Sequence, residues 1–254
     1  MRAFLVSSSI IALTLVLTPF QLAAVVTGSR LAGDIPRLYH RIACRLIGLT
    51  VSVVGRPVTD RPVLYVSNHV SWLDIPLIGK LLRVSFVAKR EVASWPGFGH
   101  LARMQRSVFI DRTRRTATGH HNRELKHRLK SGDNLLLFAE GTSSDGRLVL
   151  PFKTALFGVA EMARDEALMI QPVTIRYTGI NGMPLARSQR PWLGWYGDMD
   201  LVPHFWRVMG LGRIGAEVHF HEPVPASRFE SRKALALYCH DCVASVLLKN
   251  RRPD

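Results

Sequence analysis

The fold is decided by the stretch Pro62-Val63-Leu64-Tyr65-Val66-Ser67, which runs directly into Asn68-His69-Val70-Ser71-Trp72-Leu73-Asp74-Ile75-Pro76. The first six residues form a short apolar run, which is typical of a buried strand. The next nine place a histidine and an aspartate five positions apart. In open α/β sheets, ligands bind outside the carboxyl ends of the strands. The junction therefore predicts a strand that delivers a His/Asp pair to a binding edge.

His69 and Asp74 have the character of a general base and its orienting carboxylate. Imidazole can accept a proton near neutral pH, and a carboxylate on its other nitrogen fixes the tautomer and stabilises the imidazolium. A hydroxyl activated in this way can attack a carbonyl carbon. Because residues i and i+5 of a regular helix lie about 140° apart, we expect His69 in the turn and Asp74 in the first helical turns. Taken alone, the same spacing also fits a capped turn without catalytic role.

Alternating strand-like and helix-like segments surround this junction. Strands are predicted at 51–54, 63–66, 85–88, 107–110, 135–138, 169–176 and 217–221, and helices at 34–50, 74–82, 116–131, 154–164 and 231–249. In the first helix, Leu38, Ile42, Leu46 and Leu49 are expected to share a face. The alternation predicts an α/β fold with a mostly parallel mixed sheet that helices cover on both faces. Residues 179–213, with several Gly, Pro and Trp, are expected to form an irregular excursion over the active-site face.

The N-terminus begins with a long uncharged segment, Ala3 to Gly28. At about 1.5 Å per residue it is long enough to cross or enter a hydrocarbon core of about 30 Å. We expect a membrane anchor, which Pro19 could kink into a re-entrant segment. A cleaved signal peptide is the alternative. We assign residues 1–50 to this anchor and the amphipathic helix, and residues 51–254 to the α/β domain.

The net positive charge of the chain indicates that it binds an anionic partner or surface. The chain has 34 Lys and Arg against 19 Asp and Glu, a formal charge of +15. Nucleic acid is not indicated, because the basic residues are dispersed and no nucleic-acid-binding motif occurs. Anionic lipid head groups or a phosphate-bearing ligand explain the excess. The three cysteines, Cys44, Cys239 and Cys242, form neither a disulfide framework nor the paired C-x2-C of a structural zinc site, so we predict no metal.

Three further blocks follow the first. They are Phe86-Val87-Ala88-Lys89-Arg90-Glu91 with Ser107-Val108-Phe109-Ile110-Asp111-Arg112, then Phe138-Ala139-Glu140-Gly141-Thr142, then Ile170-Gln171-Pro172-Val173-Thr174-Ile175. In order and separation, the four blocks resemble the motif blocks of the glycerolipid acyltransferase family, the bacterial lysophosphatidate acyltransferase group. The resemblance covers about residues 60–180.

This resemblance implies an enzyme that transfers an acyl chain from a coenzyme A or acyl-carrier-protein thioester to a lysolipid hydroxyl, without metal or cofactor. It implies His69 as the base and Asp74 as its partner. It assigns the donor side to Pro172 and acceptor binding to Arg112, Glu140, Gly141, Thr142 and Ser143. It also implies the bacterial inner (cytoplasmic) membrane, and arginines at 30, 37, 41 and 45 then place the catalytic domain on the cytoplasmic side.

Two residues that depart from the family pattern bear on which acceptor the enzyme would use. Block three commonly reads with proline and arginine where this chain has Ala139 and Ser143, and the missing arginine removes a cation that a phosphate would favour. The runs 140–146, 150–153 and 195–204 resemble a branch of the family that acylates lyso-ornithine lipid, whose head group carries no phosphate. The sequence thus leaves two acceptors open, lyso-ornithine lipid and 1-acyl-sn-glycerol-3-phosphate.

Two other functions are considered. A lipid or thioester hydrolase could use His69 with Ser67 or Ser71 as nucleophile, although neither serine has the Gly-x-Ser-x-Gly context of a nucleophile elbow. The non-enzymatic alternative is a basic membrane-surface binding protein in which the four blocks are structural. Neither the choice between the two thioester donors, nor the chain length, nor the oligomeric state follows from the sequence.

Overall fold

The computed structural model of the protein describes residues 1–111, 118–162 and 168–249. Its strands are β1 (Leu49–Val54), β2 (Val63–Ser67), β3 (Ser85–Lys89), β4 (Val108–Ile110), β5 (Leu135–Phe138), β6 (Met169–Ile180), β7 (Met183–Pro184), β8 (Ile214–Phe220) and β9 (Val224–Pro225). Its α-helices are α1 (Arg2–Val26), α2 (Leu31–Ile47), α3 (Asp74–Leu81), α4 (Phe98–Met104), α5 (Thr118–Lys130), α6 (Gly158–Met162), α7 (Arg190–Leu193), α8 (Leu201–Gly210) and α9 (Arg232–Lys249). Short 3-10 helices occupy Arg90–Ser94, Thr154–Phe157, Arg187–Gln189 and Ala226–Arg228.

The strands form one mixed sheet in the order β1-β8-β6-β2-β5-β3-β4, with β7 and β9 pairing at β6. Along this order only the β6/β8 pair is antiparallel, and the other neighbours are parallel. The predicted mostly parallel mixed sheet is confirmed. Because β6, β2, β5, β3 and β4 are consecutive neighbours, the four sequence blocks lie side by side in the sheet.

Strand β2 lies between β6 and β5 and is buried along its whole length. Side chains of a strand alternate between the two faces of a sheet. Val63 and Tyr65 therefore pack into the core on one face, and Leu64 and Val66 into the core on the other. Burial on both faces explains why this strand is a continuous apolar run rather than an alternating one.

Helices cover both faces of the sheet. One core lies beneath α1, α2, α3 and α8 and contains Cys44, Leu77 and Val208. The opposite core lies beneath α5, α6 and α9 and contains Leu125 and Val243. The predicted three-layer arrangement is thus the observed one.

Two predicted details are wrong. Residues 201–210 of the expected irregular excursion form helix α8, which tolerates Pro203 because proline fits the first helical turn. The predicted apolar face of the first amphipathic helix is also misplaced: α2 ends at Ile47, Leu49 belongs to β1, and Leu38 is 47% exposed. Helix α2 instead buries a different set, Ala32, His40, Ala43, Cys44 and Ile47.

Helix α1 is long and apolar enough to cross a membrane, judged by length and composition alone. Its most apolar 18-residue window has a mean hydropathy of 2.1 and is 11% buried, so α1 is not a core helix. The helix continues through Pro19. At its start the Arg2 guanidinium donates to the carbonyls of Met209 and Ile47, both at 2.6 Å. These bonds tie α1 to the ends of α8 and α2.

Candidate active site

The His69 ring lies in the turn after β2, and Asp74 is the first residue of α3, as the spacing predicts. The His69 Nδ1 atom is 2.7 Å from Asp74 Oδ2. Because an ionised carboxylate only accepts hydrogen bonds, Nδ1 carries the proton and Nε2 is the basic nitrogen. Nε2 has no partner among the described residues, and the ring stacks on Phe138, the last residue of β5, with centroids 4.0 Å apart.

Asp74 is fully buried, and both of its carboxylate oxygens accept hydrogen bonds. Oδ2 also accepts the backbone amides of Val70 at 2.7 Å and Ser71 at 3.0 Å, and Oδ1 accepts the Tyr177 hydroxyl at 2.8 Å. The carboxylate therefore closes the turn and orients the imidazole at the same time. Burial raises the pKa of Tyr177 well above its ordinary value, and the neighbouring Asp74 charge adds to this. The tyrosine thus stays a donor.

Glu140 supports the same turn from block three. It is 1% exposed, and its two oxygens accept the backbone amides of His69 at 2.8 Å and Leu150 at 3.0 Å. The turn after it needs Gly141, whose φ of 72° lies in the left-handed region. These contacts place Glu140 behind His69, and its predicted acceptor-binding role stays a prediction.

Glu140 should make stability depend on pH. Burial raises its pKa to about 7, against the opposing effect of the two amide bonds. A carboxyl with a raised folded-state pKa stabilises the fold fully below its unfolded pKa, and this contribution is lost as the pH rises through about 7. The loss amounts to about 3 kcal/mol. We therefore expect the free energy of unfolding of Glu140→Gln, taken relative to that of the unmodified protein, to increase as the pH rises from 5 to 8. The measurement is thermal unfolding in detergent at each pH.

The matched control for this experiment is Glu161→Gln, because Glu161 is an exposed carboxylate on α6. Its stability difference from the unmodified protein should not change over the same range. An equal pH dependence in both variants would contradict a special role for the Glu140 carboxyl.

The other predicted acceptor residues lie around this turn. Thr142 and Ser143 line the same cavity as His69. Their backbone amides have no partner within the described ranges, whereas the amides of residues 69–71 are bound by Glu140 and Asp74 and that of Gly141 by Phe138. The backbone amides of the turn at His69 are thus already bonded, whereas those of Thr142 and Ser143 in block three remain available to a ligand.

Arg112 and Pro172 are the remaining predicted site residues. Arg112 lies outside the described residues; its neighbour Asp111 pairs with Arg90 at 3.3 Å. Pro172 lies within β6 opposite Val66, and its carbonyl accepts the amide of His221 at 3.0 Å. Its predicted place on the donor side remains a prediction.

A cavity of about 650 Å³ opens from His69 and is largely apolar. Its walls come from α1, α2, α4 and α8, from the end of β3 and from the Trp195–Gly197 segment. The residues that close it around the histidine are Trp72, Phe86, Phe138, Trp195 and Phe205. Ligand cavities of 300–1,000 Å³ are typical of proteins that bind small apolar molecules.

Several site residues escaped the sequence analysis. Tyr177 could have been found by the two-residue period of β6, because Val173, Ile175 and Tyr177 all point into the core on the α3 side. Asn68 holds β2 to β6 through two bonds with the backbone of Ile175, at 2.9 and 2.8 Å.

The segment resembling the lyso-ornithine branch contacts the turn at His69 directly. The amide of Trp195 donates to the carbonyl of Val70 at 3.0 Å, and the Trp72 indole donates to His204 Nδ1 at 3.0 Å. Residues of this segment therefore form part of the cavity wall.

Ser67 and Ser71, the nucleophiles considered for a hydrolase, are both fully buried, and their hydroxyls contact no partner within the described part of the chain. Neither is placed to receive a substrate. Within the same residues, no group of three or more His, Cys, Asp or Glu side chains gathers in a metal-binding arrangement.

Comparisons with known proteins agree with this geometry. Residues 50–176, half of the chain, match the family model described as Acyltransferase. The chain is 44% identical to a lyso-ornithine lipid O-acyltransferase of Brucella abortus, over 97% of this chain and 94% of that protein. It is 34% identical to a 1-acyl-sn-glycerol-3-phosphate acyltransferase of Neisseria gonorrhoeae, over 76% of this chain and 73% of that protein.

The fold is shared with the 1-acyl-sn-glycerophosphate (LPA) acyltransferase PlsC of Thermotoga maritima. Its crystal structure matches with a TM-score of 0.67 and 24% sequence identity, covering 100% of this chain and 98% of that one. The resemblance carried by the four blocks is confirmed. The family model covers half of the chain, the Brucella abortus protein matches it over nearly its whole length, and a His/Asp pair lies at an apolar cavity. The chain therefore belongs to the acyltransferase family and is an acyltransferase.

Proposed function

We propose that the protein transfers a fatty acyl chain from an acyl-carrier-protein or coenzyme A thioester to the hydroxyl of a lysolipid, with lyso-ornithine lipid as its principal acceptor. The observation that carries the proposal is the basic Nε2 of His69, held through Nδ1 by a buried carboxylate at 2.7 Å, on the wall of an apolar cavity. A positioned base activates the hydroxyl, and the cavity suits a fatty chain.

The proposed reaction uses only groups of this chain and of the two substrates. His69 Nε2 takes the proton of the acceptor hydroxyl as its oxygen attacks the thioester carbonyl carbon. The amides of Thr142 and Ser143 are the donors that would stabilise the resulting oxyanion. The carbon–sulfur bond then breaks, the ester remains on the acceptor, and the proton on His69 passes to the leaving sulfur to give the thiol. These steps require neither a metal nor a cofactor.

Lyso-ornithine lipid is favoured by two observations. The chain is more similar, over more of its length, to the Brucella abortus protein than to the Neisseria gonorrhoeae protein. Ser143 lines the cavity at a position where phosphate-binding relatives commonly carry arginine. Because a serine hydroxyl is uncharged, it leaves no cation unpaired when the head group lacks a phosphate. Lysophosphatidate is the second candidate, because relatives named for that acceptor also match.

The helices at the N-terminus support attachment to a membrane. One side of α1 packs on the domain from Arg2 to Gln21, so the helix as packed lies against the domain and would enter the bilayer by its opposite side. That side carries exposed Phe4, Leu5, Val16, Phe20 and Leu22. On neighbouring α8, Val202 and Trp206 are also exposed, and Trp favours membrane interfaces. Because α1 forms a wall of the cavity, we propose that it is retained rather than cleaved as a signal peptide.

The test offers radiolabelled acyl-carrier protein and acyl-coenzyme A to the protein in membranes, with lyso-ornithine lipid and lysophosphatidate separately and in competition. We expect label chiefly in ornithine lipid. Label only in phosphatidate would overturn the proposed acceptor. Free fatty acid formed without dependence on acceptor would indicate a hydrolase, and anionic-liposome binding without thioester turnover would indicate a binding protein.

Ser143→Arg sharpens the test of the acceptor. The new guanidinium at the cavity wall should raise the share of label in phosphatidate. Ser131→Arg, which adds the same charge at the exposed end of α5, is the control and should leave the share unchanged. Equal shifts in both variants would mean that general charge rather than position 143 sets the preference.

A further inference from the structure

Strand β1 (Leu49–Val54) forms one edge of the sheet, and its outer side pairs with no strand of the described chain. On its inner side the amide of Ile214 in β8 donates to the carbonyl of Gly48 at 2.9 Å. The residues of a strand point their amides and carbonyls alternately to its two sides, so the even-numbered residues of β1 face β8. Leu49, Val51 and Val53 therefore present their amides and carbonyls outwards. Among the described residues, none bonds to these outward groups.

This edge lacks the usual protection of exposed strands, which is short length, charge, proline or a bulge. The opposite edge, β4, is only three residues long, and the Arg103 guanidinium lies 6.0 Å from the centroid of its Phe109 ring. β1 has six residues in continuous register with β8, and it contains neither charge nor proline. The uncharged stretch extends over residues 46–55, in a chain of net charge +15. β1 is thus suited to pairing with a further strand.

The side chains of β1 leave the edge accessible. Val53 is 44% exposed and Val54 is 48% exposed. Thr50 and Ser52 are exposed as well, and their hydroxyls donate to carbonyls of β8. The partner of such an edge must be uncharged and extended, because an opposing charge would lose water here without gaining an ion pair.

A second copy of β1 has these properties and fits the edge when the two strands run antiparallel. If Val51 lies opposite Val51 of the second copy, the two residues exchange both of their outward hydrogen bonds, as in any hydrogen-bonded antiparallel pair. Leu49 then lies opposite Val53 of the other copy, and this pair also uses outward groups. Thr50 lies opposite Ser52, and such hydroxyl pairs stabilise neighbouring strands. One two-fold axis at Val51 therefore satisfies all the outward groups of both copies.

The same two-fold axis agrees with membrane attachment. An axis that continues a sheet through antiparallel edge strands is perpendicular to the sheet, so both copies turn the same face to the same side. Helices α1, α2, α3 and α8 cover one face, and the exposed apolar side of α1 points away from it. On the membrane attachment proposed above, both copies would enter one bilayer from the same side. Their β1 edges would then point along the membrane plane, in which the molecules diffuse and meet.

We propose that β1 is a homodimer interface, at which two copies of the protein join their sheets edge to edge through antiparallel β1 strands. A second copy is favoured over an extended peptide of another protein, because an added peptide would create a new open edge and the symmetric pair closes both. The interface does not depend on the identity of the acceptor or on acyl transfer.

The first experiment measures the molar mass of the purified full-length protein by sedimentation equilibrium in detergent, at several ratios of protein to detergent. We expect the mass of two chains at high ratios. Val51→Pro removes the central outward N–H and keeps the bonds to β8, so the dissociation constant should increase about 10- to 100-fold. Val53→Lys places like charges across the contact and should act in the same direction.

Leu237→Lys is the matched control. Leu237 is 61% exposed on α9, which packs on β6, and the substitution adds the same charge away from β1. Its dissociation constant should equal that of the unmodified protein. The mass of one chain at every ratio would overturn the proposal. A dimer that persists unchanged in both folded β1 variants would overturn it as well, because the contact would then lie elsewhere.

Oxidative cross-linking in native membranes tests the partner and the register. Cα atoms of a hydrogen-bonded antiparallel pair are about 5.5 Å apart, which is within reach of a disulfide. We expect Val51→Cys to give a disulfide-linked dimer, above the background from the native Cys44, Cys239 and Cys242 of the unmodified protein. Leu237→Cys should not exceed that background. Cross-linking of Val51→Cys to a different protein, in place of a second copy, would contradict the homodimer and indicate an extended peptide as the partner.

Discussion

His69→Ala lowers kcat for acyl transfer by about 10²- to 10⁴-fold, the usual contribution of a positioned general base. The variant should remain folded and membrane-attached, because the backbone amide and carbonyl of residue 69 keep their bonds to Glu140 and Ser144. The measurement is single-turnover transfer from labelled thioester at saturating acceptor, with thermal unfolding followed in parallel.

Ser67→Ala is the control for this experiment. Ser67 precedes the catalytic turn by two residues, is fully buried, and its hydroxyl contacts none of the described residues. We expect transfer close to that of the unmodified protein, whereas a serine hydrolase that used Ser67 would lose activity. A folded His69→Ala protein that retains substantial transfer would rule out the histidine mechanism.

Asp74→Asn should have the second largest effect, because it removes the charge and keeps the shape. The amide oxygen can occupy the place of Oδ2 and accept the bonds from His69, Val70 and Ser71, while its NH2 group faces the Tyr177 hydroxyl. Without the negative charge, the imidazolium formed during the reaction is no longer stabilised. We expect kcat to fall by about 10²- to 10⁴-fold, with little change in KM for either substrate.

The stability cost of Asp74→Asn should be about 1–3 kcal/mol, as charge-assisted bonds become neutral ones. Tyr177→Phe is the matched variant, since it removes one bond to Asp74 and leaves the charge in place. Its kcat should decrease about tenfold at most, because only one of the four bonds to the carboxylate is lost. If Tyr177→Phe were as impaired as Asp74→Asn, the geometry of the turn rather than the charge would be limiting.

The sequence alone was sufficient for the central strands and for the turn that brings His69 to Asp74. The apolar run 63–67, the polar turn after it and the His69/Asp74 spacing are local patterns, and the structure places both residues where that spacing predicts. The remaining blocks predicted neighbouring strands, because each combines an apolar run with a turn. These features depend on residues close together in the chain.

The function of Glu140 shows where local pattern is insufficient. The turn Glu140-Gly141-Thr142 is visible in the sequence, but its carboxylate turns inward to the amides of His69 and Leu150. Which side of a turn a side chain faces depends on what packs against it. Helix α2 is a second example. Its apolar periodicity predicted that Leu38 lies on the buried face, whereas packing against α3 buries His40 instead.

The sequence by itself determined the fold class, the acyltransferase family and the proximity of His69 to Asp74, because each is recorded in short segments with a fixed period or spacing. Only the tertiary structure decided the shape and chemistry of the cavity. Its walls come from helices separated by up to about two hundred residues along the chain, α1, α2, α4 and α8. No local pattern encodes how these helices pack around one space, because that packing depends on contacts between residues far apart in the sequence.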